Sequence, residues 1–207
     1  DYTGTLMRET LSDLNITNMS ELRTVLLSKG IGMTDPLGFN NTYAMGIRKD
    51  TWEQLNINQI SDLQNHPDLK FGFSNEFMDR TDGWPGLRDF YQLPQQNVRG
   101  LDHDLAYRGL ESGDIQLIDL YSTDADIQYY DLKILKDDKE YFPAYYGVYL
   151  YNQKKLKQHP KLSAALETLA GQISDKMMTE MNAASKIKKI SEQKVAGQFL
   201  SEYFGID

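Results

Sequence analysis

Residues 104–120 read Asp104-Leu105-Ala106-Tyr107-Arg108-Gly109-Leu110-Glu111-Ser112-Gly113-Asp114-Ile115-Gln116-Leu117-Ile118-Asp119-Leu120. The first part, Asp104 to Ser112, predicts a helix that stops at Gly113. The second, Ile115 to Leu120, is an apolar strand of the kind that lies in a buried parallel sheet. A helix followed at once by such a strand points to an α/β fold, and the neighbouring sequence repeats the unit. Upstream, short helices at Thr51–Leu55 and Ile60–Asn65 lead to a strand at Leu69–Ser74. A helix at Pro85–Tyr91 follows, its start marked by Gly83 and Pro85, and then a strand at Asn97–Leu101. Downstream comes a short helix near Asp124–Gln128 and a strand at Leu132–Lys136. This alternation predicts a mainly parallel, helix-covered sheet.

The flanks differ in character. Leu6, Met7, Leu11 and Leu14 recur at helical spacing in Gly4–Leu14. Leu22, Val25 and Leu26 do so in Met19–Lys29, which Gly30 stops. A turn-rich stretch, Thr34-Asp35-Pro36-Leu37-Gly38, leads into Thr42–Arg48, where Tyr43, Met45 and Ile47 alternate as in a strand. Tyr146–Tyr151 is a strand of alternating aromatics, and Pro160–Ile173, Ser174–Ala184 and Ser191–Phe204 read as helices. Chain crossings near Asn41 and Pro143 therefore bracket a middle lobe. The predicted organisation is lobe one from 1–41 and 144–207, and lobe two from 42–143.

With 207 residues, 40% of them hydrophobic and 25% charged, the chain is long enough for one large domain or two smaller lobes. A net charge of −8 disfavours nucleic acid, which needs clustered Lys and Arg to neutralise phosphates. The one basic cluster, Lys186, Lys188 and Lys189, reads as a solvated helix end. No apolar run is long enough to cross a bilayer. With no cysteine there is no disulfide, thiolate nucleophile or Cys-ligated metal, which leaves the compartment open.

Thirteen tyrosines are present, and most are structural. Tyr2, Tyr43, Tyr121 and Tyr145 stand apart because each falls at a crossing or at the carboxyl end of a strand, where open α/β sheets bind ligands. Tyrosines gathered from distant parts of a chain can box a quaternary ammonium group, which cannot donate a hydrogen bond. Arg80 sits between a strand end and a helix start, either as an anion-binding guanidinium or in an ion pair with Asp79 or Asp82. Thr5 is either a helix-start hydroxyl or a ligand donor. The histidines His66, His103 and His159 show no metal-ligand spacing. Asp102-His103-Asp104 lacks a nucleophile-elbow serine and reads as helix-capping residues. No phosphate-binding glycine loop occurs. Catalytic residues, metal and cofactor are all expected to be none.

Taken in order, Tyr-Thr-Gly-Thr at 2–5, Leu-Gly-Phe-Asn-Asn-Thr-Tyr-Ala at 37–44, Phe-Gly-Phe-Ser-Asn-Glu-Phe-Met-Asp-Arg-Thr-Asp-Gly at 71–83, Pro-Gly-Leu at 85–87, Tyr-Ser-Thr-Asp at 121–124 and Asp-Asp-Lys-Glu-Tyr-Phe-Pro at 137–143 form one set. The chain resembles the substrate-binding proteins of bacterial ABC importers for glycine betaine, carnitine, choline and related osmoprotectants. The resemblance implies a type II periplasmic-binding-protein-like fold with two lobes and a hinge. It implies that Tyr2, Tyr43, Tyr121 and Tyr145 cage a trimethylammonium head, with Asn41 facing the cation. Arg80 and Thr5 match positions that bind the ligand carboxylate.

The same resemblance implies a chain that binds rather than transforms its ligand. It would work outside the cytoplasmic membrane, at the cell surface or in the periplasm, held by a lipid anchor or permease fusion, and deliver the ligand to a membrane permease. An enzyme acting on a choline-like substrate, or a sensor module with the same architecture, are the competing classes. In the family the mature domain begins about 60 residues before the Tyr-Thr-Gly-Thr motif, which implies an incomplete lobe one with uncovered apolar helix faces. Self-association or a domain swap is the corresponding expectation.

Overall fold

A computed structural model describes residues 1–206. Contacts divide the chain into two units, one of residues 1–42 with 143–207 and the other Tyr43–Phe142. Among the described residues the strands are β1 (Ile31–Met33), β2 (Tyr43–Arg48), β3 (Phe71–Ser74), β4 (Val98–Leu101), β5 (Leu117–Tyr121), β6 (Leu132–Leu135) and β7 (Leu150–Asn152).

Unit Tyr43–Phe142 is built on a five-stranded sheet in the order β4-β3-β5-β2-β6. Strand alternation sorts its side chains onto two faces. Tyr43, Met45, Ile47, Phe71, Phe73 and Leu117 pack with Ile57, Ile60, Leu63, Phe77, Trp84, Leu87 and Tyr91 on one face. Ala44, Ile118, Leu120 and Leu132 pack with Ala106, Tyr107 and Leu110 on the other. Helices Trp84–Tyr91 and His103–Ser112 therefore cover opposite faces. Their starts and stops follow the sequence: Pro85 falls in the first turn of one, and Gly113 ends the other with φ 81°.

The sheet is mainly parallel in strand direction, as predicted, with one strand reversed. β3 is parallel to β4 and to β5, but β2 is antiparallel to both β5 and β6. Four strands thus share one direction and β2 opposes them. Strand and helix alternation fixes direction only for strands joined by a helical crossover. β2 instead follows an irregular stretch after Met33, so its direction is set by its pairing partners.

In the other unit, β1 and β7 form a two-stranded antiparallel sheet. One apolar cluster joins Leu6, Ile16, Leu22, Leu26, Met33 and Val148, and a second joins Leu37, Phe39, Ile173 and Phe199. The expected helix Gly4–Leu14 is broken into a turn at Thr3–Thr5, a widened π segment at Leu6–Thr10 and a tight 3-10 turn at Ser12–Leu14. Its first turn is fixed from outside: Thr3 Oγ1 donates to the Ala144 carbonyl (3.2 Å) and accepts from Tyr146 N–H (3.1 Å). The expected strand Tyr146–Tyr151 is regular only at its end. Tyr146 bridges Asn40, Gly147 bridges Tyr2, and only Leu150–Asn152 pairs with β1, so the segment changes partner along its length. The helix expected over Pro160–Ile173 stops at Thr168, because the Gly171 and Ile173 N–H groups turn to the Pro36 and Leu37 carbonyls (2.8 and 3.0 Å). A helix at Gln153–Lys157, capped by the Asn152 side chain, was not evident from the spacing.

Candidate functional site

The site in unit Tyr43–Phe142 is built where three strands end. Tyr43 opens β2 and Tyr121 closes β5, and the antiparallel register places them directly opposite each other. Opposed residues on one face come within side-chain contact. Their ring centroids lie 5.0 Å apart at 36°, with the two hydroxyls 3.5 Å apart. Phe77 stands 5.0 Å and Phe142 6.2 Å from the Tyr43 ring.

The third strand end supplies charge. β3 finishes at Ser74, whose Oγ accepts from Phe77 N–H (3.1 Å) and starts helix Asn75–Asp79. Ser74 is in turn held by buried Asp119 of β5, which accepts from its N–H (2.6 Å) and its hydroxyl (2.7 Å). Desolvation pushes the Asp119 carboxyl above its ordinary value, against the lowering effect of those two bonds. The helix so anchored carries Glu76. Its carboxylate accepts from the Tyr43 hydroxyl (3.3 Å) and the Tyr121 hydroxyl (3.4 Å). Burial raises the phenol of Tyr43, strengthened by Tyr121 and Glu76, and burial also raises Tyr121, so both hydroxyls remain protonated donors.

Arg80 follows the same helix. Its Cζ lies 5.4 Å from the Tyr43 ring centroid. Nε and Nη2 each donate to Asp82 at 2.8 Å, and Nη1 is 3.5 Å from Glu76. Of the two ion-pair partners that the sequence offered, Asp82 is the one it meets. The pair is sheltered, with side chains 14% and 16% exposed, whereas the Glu76 side chain is 59% exposed.

Tyr2, Thr5, Asn41 and Tyr145 belong to the other unit. Burial raises the Tyr2 phenol while a side-chain hydrogen bond with Asn41 lowers it. The Tyr2 ring meets Phe39 edge-on at 6.4 Å. Asn41 N–H donates to the Tyr145 carbonyl (3.0 Å), and Tyr145 N–H donates to Asn40 Oδ1 (2.7 Å). Tyr145 itself is buried, its ring packed over Gly4. Thr5 ends the first helical turn and is half-buried.

The sequence matches the family described as "Substrate binding domain of ABC-type glycine betaine transport system" over residues 1–202. This chain belongs to that family. It is 33% identical, over 97% of its length, to the "Ergothioneine transport permease/ergothioneine binding protein EgtU" of Helicobacter pylori (strain G27), and covers 37% of that protein. It is 34% identical, over 81% of its length, to the "Carnitine transport binding protein OpuCC" of Listeria monocytogenes and covers 55% of it. The chain thus spans between about a third and somewhat over half of these relatives. Among solved structures, a "glycine betaine/carnitine/choline ABC transporter" superposes with TM-score 0.86 at 32% identity, covering all of this chain and 78% of that one. The mixed α/β architecture is that of the periplasmic binding proteins.

Within this substrate-binding domain, sequence reasoning singled out Tyr43, Tyr121 and Arg80, which lie in one cluster, and Tyr2, Asn41 and Tyr145, which lie in another. It passed over Glu76 and Asp119. Glu76 had a signal, since it stands four residues before Arg80, a spacing at which an acid and a base pair across one turn. Asp119 had none, being an acid in an otherwise apolar strand. Asp102 caps its helix, accepting from Asp104 N–H (3.1 Å), while His103 pairs with Asp124. Among the described residues no three His, Asp or Glu side chains are grouped to hold a metal.

Proposed function

We propose that this domain captures a small quaternary ammonium solute such as glycine betaine, carnitine or choline, without transforming it, and hands it to the permease of an ABC importer on the outer side of the cytoplasmic membrane. The observation that carries the reading is the Tyr43–Tyr121 ring pair with the Glu76 carboxylate across both hydroxyls. A trimethylammonium group offers no hydrogen-bond donor, so a site for it must rely on ring faces and negative charge. Glu76 adds that charge and tilts both phenol dipoles so that electron density lies toward the rings. Because Arg80 is held by Asp82, its guanidinium is oriented in advance, and its positive charge beside the Tyr43 ring suits the carboxylate of a betaine.

The names of the relatives support a betaine-like ligand and widen its range. Ergothioneine is itself a trimethylated betaine, of a sulfur-bearing histidine, and belongs in the same test. Titration calorimetry with glycine betaine, carnitine, choline and ergothioneine is the direct measurement. Tyr121→Ala is expected to weaken the tightest of them by on the order of 0.5–2 kcal/mol, about twofold to thirtyfold. Unchanged affinity in Tyr121→Ala would remove the ring pair from the site. The family resemblance assigns Tyr2 and Tyr145 to the same cage, and their alanine variants test that assignment separately.

A further inference from the structure

Tyr121 is held by more than its strand. The His103 ring lies 5.7 Å from it at 33°, and one oxygen, Asp124 Oδ2, serves both residues. It accepts from Tyr121 N–H at 3.1 Å and shares a hydrogen bond with His103 Nε2 at 3.2 Å. The Tyr107 hydroxyl donates to the same oxygen at 2.9 Å, and the Tyr107 ring meets His103 edge-on at 5.4 Å. Tyr107 is in turn stacked on Tyr130 at 5.4 Å and 16°. His103 is therefore held by a carboxylate and by a buried ring, and it is itself set against a tyrosine at the end of β5.

We propose that His103 and Asp124 are positioning residues that hold the Tyr121 ring in its cation-binding orientation. The inference rests on the reading of Tyr121 as a ligand ring. The attraction of a cation to a ring depends on the cation lying over the face, so a ring free to change rotamer loses binding energy to its own ordering. A contact with a second planar group restricts that freedom. Asp124 makes the restriction specific, because the oxygen that fixes the imidazole also fixes the backbone from which the tyrosine springs.

The test uses the full chain with His103→Ala and His103→Gln, the glutamine keeping a planar amide and an N–H donor. Two readouts are combined. Ring signals of 13C-labelled tyrosine, with Tyr121 assigned through Tyr121→Phe, report the contact directly and need no ligand. Affinities for glycine betaine and for 3,3-dimethylbutanoate, its uncharged-head carbon isostere, report its use. His103→Ala is expected to move the Tyr121 ring signal and to weaken glycine betaine by about three- to tenfold, with a smaller change for the isostere. His103→Gln is expected to restore most of the betaine affinity. A Tyr121 signal unmoved by His103→Ala overturns the proposal, as does an equal loss for both compounds, which marks a merely structural residue. If Tyr121→Ala leaves betaine binding unchanged, or the wild-type chain binds neither compound, the functional reading fails and takes the pair's role in binding with it. A Tyr121 signal that still moves in His103→Ala distinguishes that failure from failure of the contact.

Discussion

Gly4 shows what a single residue contributes. A Cβ at this position would lie 2.6 Å from the Tyr145 ring, closer than any side chain tolerates. Tyr145 is 4% exposed and its N–H is bound to Asn40, so the ring has little room to retreat. Gly4→Ala is therefore expected to cost about 1–3 kcal/mol, the usual range for overpacking, and to lower the urea midpoint accordingly. An unchanged midpoint would mean that the ring moves aside freely. The motif Tyr-Thr-Gly-Thr was legible as a motif, and the tyrosine in it was picked out. The glycine's purpose was not, because it lies in a contact with a residue 141 positions away. The same limit hid Asp119, whose Ser74 partner lies 45 positions away. Local spacing carries information over a few residues, whereas a buried hydrogen bond or ring contact is a property of the assembled pair.

Among elements, β5 connects the site to the sheet, with two acids of opposite behaviour, Asp119 within the strand and Asp124 just beyond its end. Burial raises the Asp119 carboxyl above 3.8. The folded state therefore binds its proton more readily than the unfolded chain, and stability falls as pH rises through the folded value. Asp124 behaves conversely: burial pushes it up, but the His103 bond, the Tyr121 N–H and the Tyr107 hydroxyl outweigh burial and leave it below 3.8. Its contribution is complete above 3.8 and is lost as pH falls through the lower folded value. Unit Tyr43–Phe142 is thus expected to gain stability as pH falls through the folded value of Asp119 toward 3.8, and to lose it below 3.8. Asp119→Asn should flatten the upper limb and leave the acid limb in place. Thermal melts across pH at constant ionic strength check this, and an upper limb unchanged in the variant would overturn it. At this scale the sequence was informative, since the helix ends at Gly113 and Tyr91 and the strand at β5 lie close to their predicted places. The opposed direction of β2 and the partner changes along 146–152 were not legible, because pattern reports which face of a strand is apolar and says nothing of its neighbour.

For the molecule as a whole, the two units are unlike in how their backbone is secured. In Tyr43–Phe142 the central strands β2 and β5 each pair on both edges, and Met45, Ile47, Leu117, Ile118 and Leu120 between them are fully buried. Opening these amides requires breaking two ladders and exposing apolar clusters on both faces. In the other unit the sheet is two strands of three residues, a size that is marginal unless packing supports it. Its support is the cluster around Leu22, Leu26 and Met33, while Leu14, Leu27 and Leu162 are half-exposed. Local opening free energies follow such differences in burial and pairing. Hydrogen exchange followed by mass spectrometry is expected to show the slowest amides in β2 and β5, with Ile31–Met33 and Leu150–Asn152 exchanging well before them. Adding a saturating quaternary ammonium ligand should slow exchange over Ser74–Arg80 and around Tyr121 more than in β4, because mass action stabilises the segments that must stay ordered to bind. Equal protection in β1 and β5 would refute the ranking of the two sheets. Ligand protection that spreads evenly over β4 and β3 would detach the Glu76 helix from the site.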